Sequence, residues 1–197
     1  MALRDVIAPT PRILFVGINP SLRSAAVGHH FAGPGNPFWR LLYASRLVPE
    51  PLTFAEDGRL AEFGMALTNL CPRATRAASE LRSDEMQAGL RTLNAKIRRV
   101  RPAIVALVGI TLYQYFFGLA SSGGAGAKPE TIHGARVFVL PNPSGLNAAF
   151  PGFADKLVWF KRLRGFELRV PKVGAKCWRE TARTKLRTKG VVGSRRG

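Results

Sequence analysis

Two short segments carry most of the side chains through which this chain could do chemistry: Gly17-Ile18-Asn19-Pro20-Ser21-Leu22 and Pro141-Asn142-Pro143-Ser144-Gly145-Leu146-Asn147. Both set amide and hydroxyl groups among Gly and Pro, and each follows a short apolar run. Taken alone, Asn-Pro initiates turns and Pro-Ser-Gly is turn chemistry. Their position after the first and last apolar runs is what points to a site. Several other chemistries lack their residues. No G-x-S-x-G elbow or matched His and Asp frames Ser144. No G-x-G-x-x-G or G-x-x-x-x-G-K-[ST] follows an apolar run, so a phosphate cradle for a dinucleotide or nucleoside triphosphate is missing. Cys71 and Cys177 are too few for a four-ligand zinc site or an iron–sulfur cluster, and His29, His30 and His133 lack the i, i+4 spacing of a helical metal pair. No metal and no cofactor is expected.

The elements that must hold these segments alternate between strand and helix. Arg12–Val16 reads as a buried strand, Phe38–Ala44 as a helix after the Gly33-Pro34-Gly35-Asn36-Pro37 breaker, and Met65–Thr68 as a second strand. The strongest helical pattern runs from Asp84 to Val100, where Met86, Leu90, Leu93, Ile97 and Val100 fall on one face. Ser83 is its expected N-cap. Asp84 and Glu85 sit at the positive end of its dipole and Arg98, Arg99 and Arg101 near the negative end. Ala103–Val108 is apolar throughout, as a strand covered on both faces should be. Thr111–Phe117 reads as a short helix, Ser121–Lys128 as a flexible loop, Arg136–Leu140 as the fourth strand and Ala154–Leu163 as the last helix. This alternation predicts an α/β fold: a three-layer α/β/α sandwich around a short, mainly parallel four-stranded sheet. Ligands of such sheets bind outside the carboxyl ends of the strands, where both segments lie.

Length and charge narrow the class further. The chain has 197 residues, enough for one domain, and 46% of them are hydrophobic, enough for a core. Thirty Lys and Arg against 12 Asp and Glu give a net charge of +18. Residues 171–197 hold nine basic residues and one acid, so we expect a globular unit over 1–170 and a basic, flexible tail over 171–197. The positive charge of both parts predicts a nucleic-acid partner rather than a membrane. No apolar run near 20 residues and no secretory leader is evident. The scarcity of cysteine fits a reducing cytoplasm, nucleoid-associated if the source is bacterial.

Three motifs, GINPSL at 17–22, HHFAGPGNPFW at 29–39 and LPNPSGLN at 140–147, together with TNLCPRAT at 68–75, resemble the mismatch-specific uracil/thymine DNA glycosylase family over roughly residues 10–165. The resemblance implies the fold of uracil-DNA glycosylases and a DNA repair enzyme that flips uracil out of a duplex and hydrolyses its N-glycosidic bond. U·G mismatches would be preferred, with thymine or other damaged pyrimidines as lesser substrates. It implies that Asn19 positions the attacking water. The backbone N–H groups of Ile18 and Phe31 would meet the uracil carbonyls, the Phe31 ring would stack on the base, and Gly17, Ser24 and Asn142 would line the pocket. By the same resemblance Ser144, Gly145, Leu146 and Asn147 are DNA-binding, with Leu146 filling the gap left by the extruded base.

An amide cannot accept a proton near neutral pH as a carboxylate does, so Asn19 is expected to orient water rather than deprotonate it. Faster relatives carry Asp-Pro-Tyr-His at the equivalent loop, which this chain lacks. Ser21 stands where the family often has Gly, implying a reshaped pocket. Ala148 stands where some relatives have a basic residue, implying a relaxed demand for a guanine partner. No Lys in the GINPS motif can form a Schiff base, so the enzyme would be monofunctional and, needing one site, monomeric. Phe38 and Trp39 read as core, Asn36 as a tie for the pocket loop, and Asn69 and Arg73 as supports of the site, as phosphate contacts or equally as parts of a capped, solvated turn. The alternative function is a non-catalytic protein of the same scaffold that binds damaged or single-stranded DNA.

Overall fold

The computed structural model describes residues 3–118, 124–144 and 149–169. Expectations for the tail at 171–197, including Cys177, and for Gly145, Leu146, Asn147 and Ala148 lie outside the described residues. Five strands form one sheet: β1 (Ile13–Gly17), β2 (Met65–Asn69), β3 (Ile104–Val108), β4 (Gly126–Ile132) and β5 (Ala135–Leu140), in the order β2-β1-β3-β5-β4. The pairs β1–β2, β1–β3 and β3–β5 are parallel and only β4–β5 is antiparallel. The helices are α1 (Leu22–Val27), α2 (Phe38–Ala44), α3 (Ser83–Val100), α4 (Ile110–Phe117) and α5 (Phe153–Leu168), with 3-10 turns at Phe54–Phe63 and Ala78–Glu80.

The three layers follow from the two-residue period of the strands. Ile13, Phe15, Met65, Leu67, Ile104, Ala106 and Phe138 face one way and pack with residues of α2 and α5. Leu14, Val16, Ala66, Val105, Leu107, Val137 and Val139 face the other way, against α3 and α4. Both faces are covered, which is why β1 and β3 are apolar without alternation. On α3 the buried stripe is Met86, Gly89, Leu93, Ile97 and Val100, with Leu90 at its margin.

Two expectations are corrected. The sheet has a fifth strand, because residues 126–128, expected in a loop, begin β4. Its residues are alternately half-buried and exposed, and it pairs with β5 through the two-residue turn His133-Gly134, both at positive φ (50° and 82°). An edge position tolerates its Gly, Ala and Pro, and the register slips between Ala127 and Thr131, the stretch that holds Pro129. The N-cap of α3 is Arg82 rather than Ser83. The Glu85 carboxylate reaches back to accept the Arg82 N–H at 2.9 Å, satisfying that donor one residue earlier than a serine cap would. Among the described residues no helix is long and apolar enough to cross a membrane.

Candidate active site

The loop after β1 and the loop after β2 run side by side. Leu70 N–H donates to the Gly17 carbonyl, Cys71 N–H to that of Ile18 and Thr75 N–H to that of Pro20, at 2.8, 2.8 and 3.2 Å. The pairing of the two parallel strands thus continues beyond their ends and makes one rigid ledge at the carboxyl edge of the sheet. Helix α3 braces the ledge from outside. A Cβ on Gly89 would stand 2.5 Å from the Leu70 carbonyl oxygen, so only glycine permits this approach. Arg73 makes a two-pronged ion pair with Glu85 on α3, at 2.6 and 2.8 Å, and also donates to the Glu80 carbonyl. That guanidinium holds the Glu85 carboxyl at a pKa of about 2. Of the readings open for Arg73, a phosphate contact is the one its geometry disfavours, since its charge is already committed to Glu85 and the turn before α3.

Asn19 hangs from this ledge with its amide oriented. Its Nδ2 donates to the Arg73 carbonyl at 2.9 Å and to Thr75 Oγ1 at 2.7 Å. A carbonyl can only accept, and Thr75 spends its hydroxyl proton on the Ala77 carbonyl at 2.7 Å. Both partners therefore require the nitrogen of the amide on their side. Oδ1 is left without a donor among the described residues, and Asn19 lines a cavity of about 210 Å³. This space is below the roughly 300–1,000 Å³ of pockets for drug-sized ligands and suits a single flat ring.

The opposite wall is the segment after α1. Ser21 Oγ accepts the Ser24 N–H and caps α1, so the hydroxyl of Ser21 is used at the helix start. Buried Ser24 Oγ accepts the Ala32 N–H at 3.1 Å, and Arg23 donates to the Ala32 carbonyl. Asp57 accepts the His30 N–H at 2.9 Å and contacts His29 Nδ1 at 3.0 Å, while the Trp39 indole donates to the His30 carbonyl. The neighbours of Phe31 are thus pinned on both sides, and Phe31 itself sits at φ 52°. Its ring lies flat on Phe38, with centroids 3.8 Å apart and planes 18° apart. Phe38 is fully buried and meets Phe15, Trp39 and Phe160 edge-on. The ring of Phe31 forms cavity wall on a rigid aromatic base. Neither its N–H nor that of Ile18 has a partner among the described residues.

His30 is a packing residue: it is buried, its Nε2–H donates to the Arg4 carbonyl at 2.9 Å, and desolvation lowers its pKa and keeps it neutral. Asn36 ties the loop as expected, accepting the Phe38 N–H at 3.0 Å. Asn142 and Ser144 reach the same cavity from the far side, joined by a Ser144 N–H to Asn142 Oδ1 bond of 3.0 Å. The cavity therefore gathers Gly17, Ile18, Asn19, Ser24, Phe31, Asn142 and Ser144. No Asp or Glu lines it among the described residues.

Two contributors escape sequence reasoning. Thr75, 56 residues from Asn19, orients the amide. Asp57 anchors His29 and His30 from a 3-10 turn whose composition shows nothing of this. Asn69, which the sequence does single out, presents an amide to the cavity, and a Cβ on Gly17 would lie 2.5 Å from its Oδ1. For Thr75 the available signal is its place at the end of TNLCPRAT; for Asp57 no sequence signal exists.

A sequence model of the Uracil DNA glycosylase superfamily matches residues 4–164. Among solved structures, the chain is similar to a solution structure from Methanosarcina acetivorans provisionally described as a uracil DNA glycosylase. The TM-score is 0.57 at 18% identity, over 83% of this chain and 97% of that one. At that identity the likeness speaks for the fold.

Proposed function

Since the chain belongs to the uracil DNA glycosylase superfamily, we propose that it is a monofunctional, mismatch-directed member that removes uracil from DNA by hydrolysis. The nucleotide leaves the stack and its base enters the cavity against Phe31, because the sugar–base bond is out of reach in stacked DNA. The C1′–N1 bond breaks with its electron pair going to the base, leaving an oxocarbenium-like sugar and a uracil anion. The N–H groups of Ile18 and Phe31 receive the developing charge on the carbonyl oxygens. Asn19 Oδ1 accepts a hydrogen bond from a water on the other face of the sugar. That water's oxygen bonds to C1′, and its proton is lost after attack. The preference for U·G rests on the likeness of the Pro141–Asn147 segment to the mismatch-specific family, and Ala148 makes that preference looser than in relatives with a basic residue there.

The observation that carries this reading is the orientation of Asn19: two acceptors claim Nδ2, so the acceptor end of the amide is available to a water in a cavity that no carboxylate among the described residues lines. The test is single-turnover base release from duplexes with U·G, U·A or T·G and from single-stranded uracil, at fixed salt, by wild type and Asn19→Ala. We expect release by wild type, fastest from U·G, and its collapse in the variant with DNA binding retained. Tight binding without release by either protein would replace this reading with that of a DNA-damage binder.

A further inference from the structure

We propose that Arg76 is the phosphate ligand of the extruded nucleotide, holding a backbone phosphodiester at the mouth of the base cavity; this rests on the glycosylase reading above. Arg76 lines the base cavity and also a neighbouring cavity of about 460 Å³, so it stands on the wall between them. The two spaces share Ile18, Asn142 and Ser144 as well. A base seated against Phe31 must leave its sugar and phosphates outside the inner cavity; of the two spaces that share wall residues with it, the one beyond Leu3, Pro20 and Asn69 carries Asp5 and Glu85, which leaves the cavity at Arg76 for a phosphate. Its walls are backbone, small side chains and the hydroxyls of Thr111 and Ser144, with no carboxylate among the described residues.

Charge singles Arg76 out. It is the one charged side chain among the described residues lining either cavity. The other arginines of this region are committed: Arg73 to Glu85, Arg82 to Asp84 and Arg23 to the Ala32 carbonyl. The Arg76 guanidinium has no hydrogen bond or ion pair among the described residues. Yet its backbone is fixed on both sides, by Thr75 N–H on the Pro20 carbonyl and Ala77 N–H on the Glu80 carboxylate at 2.8 Å. An exposed guanidinium without a partner, on a fixed backbone and facing a space without carboxylates among the described residues, is placed to receive an anion. Thr75 adds a consequence: the residue that orients Asn19 is the chain neighbour of Arg76, so one rigid turn would register the phosphate against the water.

The test uses Arg76→Gln, which retains length and polarity without the charge, and Arg76→Lys. Affinity for a duplex carrying a non-cleavable abasic analogue opposite guanine is measured over a series of salt concentrations. Loss of one phosphate contact should lower the slope of log K against log salt by about 0.9. At fixed salt Arg76→Gln should bind about tenfold more weakly and Arg76→Lys should recover part of that. Each phosphate flanking the lesion is then replaced in turn by a neutral methylphosphonate. At one position wild type should lose affinity while Arg76→Gln loses no more, the non-additivity expected of one shared contact. An unchanged salt slope, or losses that add at every position, would overturn the assignment. So would binding equal to wild type with release slowed more for uracil than for 5-fluorouracil, which would move Arg76 to the departing base. These binding measurements need no turnover. A protein that releases no base can still show the contact, and one that releases uracil can still lack it.

Discussion

Thr75→Val removes one hydroxyl and almost no volume, and it isolates the orientation of Asn19 from everything else at the site. Thr75 is buried, its Oγ1 accepts from Asn19 Nδ2 and donates to the Ala77 carbonyl. Ala77 is exposed, so water can take over the lost donor there. What remains is one missing hydrogen bond to the amide, worth about 1 kcal/mol net. With two such bonds the inverted amide is disfavoured by about 2 kcal/mol and holds a few per cent of the population. With only the Arg73 carbonyl left, the penalty is about 1 kcal/mol and the inverted share is roughly 15–20%. Inversion alone therefore costs less than twofold in rate. The larger effect is positional, because an amide held at one point can swing, and a displacement of about 1 Å costs on the order of 10²-fold. We expect the single-turnover rate on a U·G duplex to fall about tenfold, between these bounds, with Thr75→Ser close to wild type and Asn19→Ala marking the floor. A rate within twofold of wild type in Thr75→Val, or equal losses in Thr75→Ser and Thr75→Val, would refute the view that this hydroxyl orients an amide on which the proposed hydrolysis depends.

Other consequences separate activity from stability. Gly17→Ala brings a Cβ against the movable end of Asn69, whereas Gly89→Ala brings one against the Leu70 backbone. The first should slow base release while shifting the unfolding free energy by under about 1 kcal/mol, and the second should destabilise by about 1–3 kcal/mol; the opposite assignment in thermal unfolding would count against the geometry. Burial lowers the pKa of His30, so its contribution to stability is whole above about pH 6.5, where the unfolded residue is also neutral, and is lost as the pH falls towards the folded value. Denaturation midpoints should decline from pH 7 to 5, less so in His30→Gln. Glu85, held at about 2, contributes its own loss only between about pH 4.5 and 2, outside that window, and parallel declines in the two proteins would exclude His30 as the cause. With no carboxylate among the described residues on the cavity wall, the pH–rate profile of wild type should lack a limb near pH 4–5, which single-turnover rates across pH 4–8 would reveal.

What was legible in the sequence was what neighbouring residues decide together. The all-apolar β1 and β3 announce a sheet covered on both faces, and the spacing from Met86 to Val100 announces the buried stripe of α3. The two Asn-Pro segments after strands point to the cavity that Asn19 and Asn142 line. Strand β4 escaped because an edge strand need not be apolar, and Gly126, Ala127 and Pro129 read as loop. Ser83 was misread as a cap because the true cap depends on a carboxylate three residues along the helix. Thr75 and Asp57 escaped for a stronger reason. Each acts across the fold, on a partner 56 or 27 residues away, through one hydrogen bond that no local pattern encodes.

An amide at the centre of a site imposes a demand that a carboxylate does not. The two oxygens of a carboxylate are equivalent, so rotation by 180° changes nothing, whereas inverting the Asn19 amide would turn a donor towards the water and an acceptor towards two acceptors. Thr75 and the Arg73 carbonyl answer that demand, and they also determine what Asn19→Asp would do. The introduced carboxylate would set one oxygen against the Arg73 carbonyl with no proton between them, in a partly buried place. Both repulsion and desolvation raise its pKa above the ordinary value near 3.9. Once protonated, that oxygen can donate to the Arg73 carbonyl, and the other oxygen faces the cavity as Oδ1 of Asn19 does. The variant should therefore gain activity as the pH falls through its raised pKa, opposite in sign to a general base, whose activity is lost on protonation. Single-turnover rates of Asn19→Asp between pH 4 and 8 decide the matter. A rate that climbs with pH would mean that a carboxylate can work here as a base, and that the ledge holding Asn19 does not require a donor at that point.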